Sequence, residues 1–329
     1  MSKLYTDYLV AFLDVLGMAD KIKQSENDDQ LAEEILSIFK HVKTIANDIN
    51  EHQWEGLQVK KINVHRFSDT IVISIPEVTT NAFILLANVV AAIQFDLIEK
   101  SFFTRGAIVA GKYYEGQDDI FFGPAYVRAY ELEKLARWSR VIIDTSVLSS
   151  IGSEELTIGY RSYLKRDADG LCFLDYIHLA NGNYLLSKER QKEWAKQKNP
   201  DMTRYIRLHK QIILEEIKKI KEDPNREPLY KFHLLAMYHN DYVRDIYIDL
   251  PICPTREQLS PESTSGALII AFENFAKRRK DVSKEEIEKM VNMWIKGLCE
   301  QRPLIKACEI DISSTFDILY PFNISPFSD

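Results

Sequence analysis

The chain has 329 residues, which fits one large folded unit or two smaller ones. Hydrophobic residues make up 46% and charged residues 28% of the sequence, a composition that is typical of a soluble globular protein and excludes a disordered one. The formal net charge of −7 excludes a protein that grips long nucleic acid through its overall field.

No segment predicts export or a membrane anchor. The first eight residues, MSKLYTDY, lack a secretory pattern, and the most apolar stretch, residues 82–93, is interrupted by Asn88 and too short to cross a bilayer. The four cysteines lack C-x-x-C spacing, which indicates reduced structural residues, and the histidines form no zinc pattern. We therefore expect a cytoplasmic protein.

The chain begins with an apolar strand that ends in an aspartate. Residues 8–13 form an almost unbroken apolar run, which predicts a buried central strand with Asp14 at its carboxyl end. Asp28 or Asp29 then caps a predicted helix, whose apolar residues recur at helical spacing over 31–49.

A second aspartate lies in a predicted hairpin. Residues 60–67 partly alternate apolar and polar side chains, and residues 70–73 are a β-branched run. The two short strands predict a β-hairpin with Ser68 and Asp69 at its tip.

The order of the elements predicts the fold class. A helix at about 80–100 precedes a strand at 103–111, so the order is strand, helix, strand, strand, helix, strand. This is a ferredoxin-like α+β arrangement, in which both aspartates lie at one edge of an antiparallel sheet.

Two further strands and then several helices follow. Segments 141–143 and 171–177 are predicted to extend the sheet, with the turn signal DADG at 167–170. An amphipathic helix at 203–222 fits packing against its own sheet better than a dimeric coiled coil.

The remainder of the chain adds further helices and a loop. Pro224 and Pro228 separate the preceding helix from another at 229–243. Segment 251–266 is rich in Pro, Ser and Thr and predicts a loop or linker, and Ser283 with Glu286 forms a capping box that opens a later helix.

The two aspartates are more informative as a pair than singly. Each alone also fits an ordinary turn residue. Together, at the ends of neighbouring strands, they supply the hard oxygen ligands of a two-metal site for Mg²⁺ or Mn²⁺ and phosphate oxygens. After Asp14, the turn at Val15, Leu16 and Gly17 leads into a helix, and backbone N–H groups in such a turn can hold a phosphate chain.

Four segments resemble the class III nucleotidyl cyclases. Asp14 with Gly17 matches the first aspartate and glycine of the family, and Asp69 matches the second aspartate. TRGAIVAG (104–111) resembles the family's basic-and-glycine strand, and FGPAYVRAYELE (122–133) resembles its glycine-led helix. These segments occur in family order over about the first half of the chain.

The sequence motifs DVLG, FSD, RGAI and GPAYVRAYELE are most similar to those of the pyrimidine cyclases of Pycsar antiphage systems. This resemblance implies conversion of UTP or CTP, with UTP favoured, to the 3′,5′-cyclic monophosphate and pyrophosphate. It also implies a homodimer with composite active sites and a separate effector that the cyclic nucleotide activates.

The resemblance also implies the site residues. Asp14 and Asp69, with Val15 beside them, would hold two Mn²⁺ or Mg²⁺ ions. The residues that would offer backbone donors to the β- and γ-phosphates are Val15, Leu16, Gly17 and Met18. The expected division is a cyclase domain at 1–180, a helical extension packed on the core at 181–250, and a C-terminal helical region of unassigned role at 251–329.

The chain departs from the family at four positions. His65 replaces the adenine-reading lysine, and Ile120 replaces its partner aspartate. Val127 and Glu131 replace the transition-state asparagine and arginine.

Because phosphoryl transfer needs positive charge near the developing oxyanion, other cations must take this role. The candidates are Arg128, which is the first choice, Arg105, Arg66 as a nucleotide-binding residue, and Lys112. Each of these also fits a solvated surface charge.

Three other functions fit parts of the pattern. An adenylate or guanylate cyclase shares the metal aspartates, and a catalytically degenerate nucleotide-binding module would explain Val127 and Glu131. A palm-type polymerase or dinucleotide cyclase lacks support, because neither its acidic signature loop nor a basic nucleic-acid channel is evident.

Overall fold

The structure is a computed structural model, and it describes the residues 4–51, 59–116, 120–151, 164–177, 179, 204–222, 229–249 and 306–312, with isolated residues between 283 and 296. The predicted linker at 251–266, Cys253 and Cys299 lie outside the described residues. Among the described residues, Cys172 is half-buried and Cys308 is buried, and the two do not pair with each other.

Strands and helices alternate along the first part of the chain. The elements are β1 (Thr6–Val15), α1 (Met18–Gln24), a 3-10 turn (Ser25–Asn27), α2 (Asp29–Glu51), β2 (Asn63–Phe67), β3 (Thr70–Ile75), α3 (Thr80–Ile98), β4 (Thr104–Glu115), β5 (Phe121–Phe122) and α4 (Pro124–Glu133). They are followed by β6 (Val141–Ile143), α5 (Thr145–Ser150), β7 (Leu164–Arg166), β8 (Cys172–Leu174), α6 (Arg204–Glu222) and α7 (Leu229–Asp249).

The strands form one sheet in the order β2-β3-β1-β4-β6-β8-β7, with β5 paired to β4. The strands β2, β3, β1 and β4 are antiparallel and have the ferredoxin-like order, so the predicted α+β palm arrangement is confirmed. β6 runs parallel to β4 because α4 carries the chain back across the sheet.

Most element boundaries agree with the sequence-based predictions. β6 is confirmed, whereas the strand predicted at 171–177 is shorter, because residues 176 and 177 are helical. β4 continues beyond the predicted end to Glu115, where it pairs with β5. The Asp28 carboxylate accepts a hydrogen bond from the Leu31 N–H at 3.0 Å, so Asp28 is the residue that caps α2.

Alternate residues of β1 serve two separate hydrophobic layers. Leu9, Ala11 and Leu13 belong to the larger cluster, which also contains buried residues of α2, α3, α6 and α7. Val10 and Phe12 pack with α4 on the other face of the sheet. Because side chains alternate along a strand, Asp14 continues the row of Phe12 and lies on the α4 side.

Helix α3 is buried on nearly all sides. Within the described part of the chain, it is the helix long and apolar enough to cross a membrane by length and composition. However, 89% of its apolar window is buried inside the protein, which is the property of a core helix.

Candidate active site

The two aspartates lie at one edge of the sheet. Asp14 pairs with Thr70 across β1 and β3, so Asp69 directly precedes the cross-strand partner of Asp14. The Val15 N–H donates to the Asp69 carbonyl at 2.8 Å. Ser68, at the first turn position, has a φ of 51°, which closes the tight hairpin turn. The sequence therefore predicted the tip of this hairpin correctly.

Arg105 is the cation beside Asp14. The two residues are cross-strand partners on β4 and β1, and the Arg105 Nε donates to Asp14 Oδ2 at 3.1 Å. The side chains are 29% and 20% exposed, so the pair is half-buried at the sheet edge. The structure thus brings together Asp14, Asp69 and one of the predicted cations.

Glu133 is a further carboxylate in this cluster. Its Oε1 contacts the Arg105 Nε, and its side chain is only 5% exposed. Burial raises the pKa of Glu133, the Arg105 guanidinium opposes that rise, and the nearby Asp14 charge adds to it. The site therefore has one guanidinium shared by two carboxylates.

The turn after β1 differs from the expectation. The N–H of Val15 is used by Asp69, and the N–H of Leu16 donates to the Phe103 carbonyl at 2.8 Å. These two groups are therefore not available as phosphate donors, and that part of the prediction is wrong, because strand pairing extends through the turn. The N–H groups of Gly17 and Met18 remain predicted donors. Gly17 has a φ of +75°, which explains glycine there.

Arg66 lies on the other face of the sheet. It pairs with Ile71, which in turn pairs with Leu13 in the larger core cluster. Its guanidinium donates to the Phe39 carbonyl of α2. The structure therefore does not bring Arg66 to Asp14, and its predicted role in nucleotide binding has no support in the fold.

Arg128 and Lys112 also lie away from Asp14 within one chain. Arg128 is 51% exposed on α4, and its Nη2 donates to Asp144 Oδ1 at 3.2 Å. Lys112 pairs with Asp7 at 2.7 Å, near the opposite end of β4 from Arg105. Of the four candidate cations, Arg105 is therefore the one that pairs with Asp14 within one chain.

The two carboxylates fit a divalent cation that takes its remaining ligands from water or from substrate phosphates. Within the described residues, no group of three or more His, Cys, Asp and Glu side chains forms a metal site. Mg²⁺ is nevertheless commonly held by one or two carboxylates, with substrate phosphates and waters as the other ligands. Asp14 and Asp69, with the Val15 carbonyl, would hold Mg²⁺ or Mn²⁺ in this way.

His65, at the position of the family's base-reading lysine, is held by a buried glutamate. Glu115 contacts His65 Nε2 and accepts hydrogen bonds from Asn63 Nδ2 at 2.8 Å and Ser74 Oγ at 2.7 Å. The Phe121 ring lies 4.3 Å from the His65 ring, centroid to centroid. An imidazole beside a carboxylate therefore stands at the position of the family's lysine.

Sequence reasoning missed the roles of Glu133 and Glu115. Glu133 falls four residues after Ala129 and eight after Ala125, and all three are buried on the face of α4 that covers the sheet. The spacing of Glu133 from these two alanines could have predicted a carboxylate on the buried face of α4. Glu115 had no comparable signal, because the extension of β4 beyond Gly111 was not predicted.

No protein-family model matches the chain, and no curated protein matches it. Among solved structures, the chain is similar to the catalytic core of a rhodopsin-guanylyl cyclase with converted specificity in complex with ATPαS. That likeness has a TM-score of 0.39 and 13% sequence identity, and it covers 52% of this chain and 96% of the other. At these values the likeness carries no inference about activity.

Proposed function

We propose that this chain is a nucleotidyl cyclase that converts a pyrimidine nucleoside triphosphate, UTP in preference to CTP, to the 3′,5′-cyclic monophosphate and pyrophosphate. The observation that carries the proposal is the meeting of Asp14 and Asp69 at one sheet edge, with Arg105 paired to Asp14. The order of the four family-like segments supports the same function.

The reaction is an intramolecular phosphoryl transfer. The ribose 3′-hydroxyl releases its proton to solvent and its oxygen bonds to the α-phosphorus, while the bond from the α-phosphorus to the bridging oxygen breaks and pyrophosphate leaves with that oxygen. Asp14 and Asp69 would hold Mg²⁺ or Mn²⁺, which would lower the pKa of the 3′-hydroxyl and neutralise charge on the phosphate oxygens. Arg105 adds positive charge at the same edge of the sheet.

The active site is proposed to be shared between two copies of the chain. Within one chain Arg128 is directed to Asp144, not to Asp14, and the proposal is that a second copy brings its Arg128 to Asp14 and Asp69. The outward side of α4 and the residues before it expose apolar side chains, which suit a protein contact. These are Ile120, Phe122, Val127 and Tyr130.

The pyrimidine preference rests on the residues at the family's base-reading positions and on the sequences of the motifs. The lysine and aspartate of the purine enzymes are replaced by His65 and Ile120. Glu115 fixes His65, which leaves a site with different charge and shape from an adenine-reading pair. The Pycsar-like wording extends the proposal to antiphage defence, in which the product activates a separate effector.

The test is product identification with purified protein. Each of the four ribonucleoside triphosphates is incubated with Mn²⁺ or Mg²⁺, and products are separated and identified by mass spectrometry. Cyclic UMP, with cyclic CMP as the lesser product, is expected, and Asp14→Asn and Asp69→Asn should each abolish it. Cyclic AMP or cyclic GMP as the dominant product would instead establish the purine cyclase alternative.

A catalytically degenerate nucleotide-binding module is the second candidate. It is favoured by Val127, which is 52% exposed, and by the exposed Glu131, where the family has its transition-state asparagine and arginine. Nucleotide binding without any product under either metal would establish this alternative. Pyrophosphate release that depends on Asp14 would exclude it.

The defence role has its own test. The gene is expressed in bacteria together with the genes that flank it, and infection is scored by plaque counts. Protection that is lost with Asp69→Asn supports the role, whereas equal protection with the variant contradicts it.

A further inference from the structure

Arg105 occupies the place of a cation at Asp14. Its Nε hydrogen is directed to Asp14 Oδ2 at 3.1 Å, while Glu133 Oε1 contacts the same nitrogen from the α4 side. A divalent cation that binds Asp14 must therefore compete with the guanidinium for the carboxylate. The arrangement is built into the fold, since Asp14 and Arg105 are fixed cross-strand partners.

Glu133 is placed to pair with the Arg105 guanidinium when Asp14 binds a divalent cation instead. It lies in the last turn of α4, on the buried side of that helix, where its carboxylate is 5% exposed. An arginine beside an occupied cation site would otherwise be repelled, because like charges at close range disfavour each other. A buried carboxylate at the guanidinium offsets that repulsion.

The guanidinium keeps donors for a phosphate in this position. The contacts that Arg105 makes with other described side chains all involve its Nε, and its two Nη nitrogens make none. Planar Nη donors suit phosphate oxygens, which they can bind in pairs. When Glu133 pairs with the Nε of Arg105, the two Nη nitrogens can therefore donate to a triphosphate.

We propose that Glu133 is a positioning residue that takes over Arg105 from Asp14 when a divalent cation binds. Arg105 thereby exchanges one carboxylate partner for another and presents its Nη donors to the triphosphate. This inference rests on the metal site of the proposed function and adds a competition between an internal cation and the metal.

The test measures Mn²⁺ binding without nucleotide, by calorimetry at about pH 8, where free carboxylates are ionised. Arg105→Ala removes the competitor and is expected to tighten Mn²⁺ binding about fivefold, whereas Glu133→Gln leaves Arg105 to Asp14 alone and is expected to weaken it by a similar factor. Asp14→Asn should abolish this binding. Asp7→Asn is the matched control, because Asp7 pairs with a lysine of β4 near the other end of β1, and it should change nothing.

The double variant separates a positioning role from general damage. If Glu133 acts through Arg105, then Arg105→Ala with Glu133→Gln should bind Mn²⁺ as tightly as Arg105→Ala alone. Weaker or unchanged binding by Arg105→Ala would overturn the inference, and so would Glu133→Gln binding like the wild type. If Glu133→Gln does not fold, Glu133→Asp replaces it, because the shorter carboxylate draws back from the Arg105 Nε and should weaken Mn²⁺ binding in the same direction.

Failure of this inference is distinguishable from failure of the proposed function. Asp14-dependent Mn²⁺ binding that Arg105→Ala does not tighten would remove the partner exchange and leave the cyclase proposal intact. If the variants show the expected Mn²⁺ affinities but the protein cyclises no triphosphate, the cyclase proposal is wrong and the partner exchange stands. A wild-type protein without Asp14-dependent Mn²⁺ binding would overturn the partner exchange, and product formation then decides the cyclase proposal separately.

Discussion

The main-chain N–H of Val15 donates to the carbonyl oxygen of Asp69 across 2.8 Å, so the end of β1 is fastened to the turn between β2 and β3. This bond fixes the spacing of Asp14 and Asp69 through the backbone, not through their side chains. Substitution of either carboxylate should therefore change chemistry at the site with little effect on the fold.

A shared active site predicts recovery of activity by mixing two inactive variants. Asp14→Asn removes a metal ligand, and Arg128→Ala removes the cation that the other subunit is proposed to supply. In an equal mixture, half of the dimers are mixed and each has one intact site, so activity should return to about a quarter of wild type. The measurement is cyclic nucleotide formed per subunit.

The control for this experiment mixes Asp14→Asn with Asp69→Asn. Both changes affect the same half of each composite site, so no mixed dimer has an intact site and no recovery is expected. Equal recovery in the two mixtures, or none in either, would contradict a site built from two chains.

Close packing of β1 on β4 predicts that Gly106 cannot be replaced. A Cβ at Gly106 would overlap the Phe12 carbonyl oxygen and lie 2.8 Å from a Leu13 side-chain carbon. Gly106→Ala should therefore cost about 3 kcal/mol of unfolding free energy, measured by denaturant titration.

Gly111 on the same strand is the matched control for that substitution. A Cβ there would meet the Ala125 side chain at 3.4 Å, which is an ordinary contact. Gly111→Ala should change stability by less than about 1 kcal/mol. A similar loss for both variants would show that the backbone overlap at Gly106 is not the cause.

Two buried histidines predict a loss of stability in mild acid. His209 Nδ1 lies 2.9 Å from His239 Nδ1, and His239 Nε2 donates to the Cys308 carbonyl at 2.9 Å. Since a carbonyl only accepts, neutral His239 accepts at Nδ1, His209 donates from Nδ1, and Tyr176 donates to His209 Nε2. A further proton has no place in this network.

Burial lowers the pKa of His239 from 6.5 to about 4, with Lys210 adding to the effect and the Cys308 carbonyl opposing it. Burial also lowers the pKa of His209. The unfolded chain therefore takes up protons below about pH 6.5 that the folded chain refuses, so stability is complete above that pH and falls toward pH 4. His239 alone should account for about 3 kcal/mol of this loss.

The measurement for the histidine prediction is the unfolding free energy between about pH 4 and pH 8. His239→Asn removes one titrating group and should flatten the profile. An unchanged slope in this variant would show that other groups cause the acid sensitivity.

The hydrogen bonds of Asn240 should contribute much of the stability with which the segment 306–312 is bound to the rest of the protein. Its Oδ1 accepts from the Ile310 N–H and its Nδ2 donates to the Ile310 carbonyl, each at 2.8 Å in buried surroundings. Asn240→Ala should cost about 2–4 kcal/mol, because two buried backbone groups lose their partners. Lys210→Ala is the control, since Lys210 bonds the same segment from an exposed position and should cost less than about 1 kcal/mol. Equal costs would contradict the assignment to Asn240.

Much of the fold was predictable because its signals are local. Secondary structure is predicted by patterns within a few residues: the apolar run of β1, the β-branched run of β3 and the helical spacing of apolar residues in α2. Asp14 and Asp69 follow from the same signals, since each lies where a strand ends or begins. The predicted order of elements then limits the topology to few possibilities.

The partners of the aspartates were not predictable in this way. Arg128 was the preferred cation because of its position in a motif, but its side chain goes to Asp144. The N–H groups of Val15 and Leu16 were expected to face phosphate, but strand pairing uses them. Arg66 was expected at the nucleotide, but strand alternation sends it to α2.

The sequence by itself determined the strands, the helices and the two carboxylates at strand ends, because short-range periodicity encodes them. Only the tertiary structure decided that Arg105, 91 residues after Asp14, is its cation, and that Glu133 shares it. The reason is physical: the register of antiparallel strands and the packing of α4 bring distant residues together, and neither leaves a local pattern in the chain.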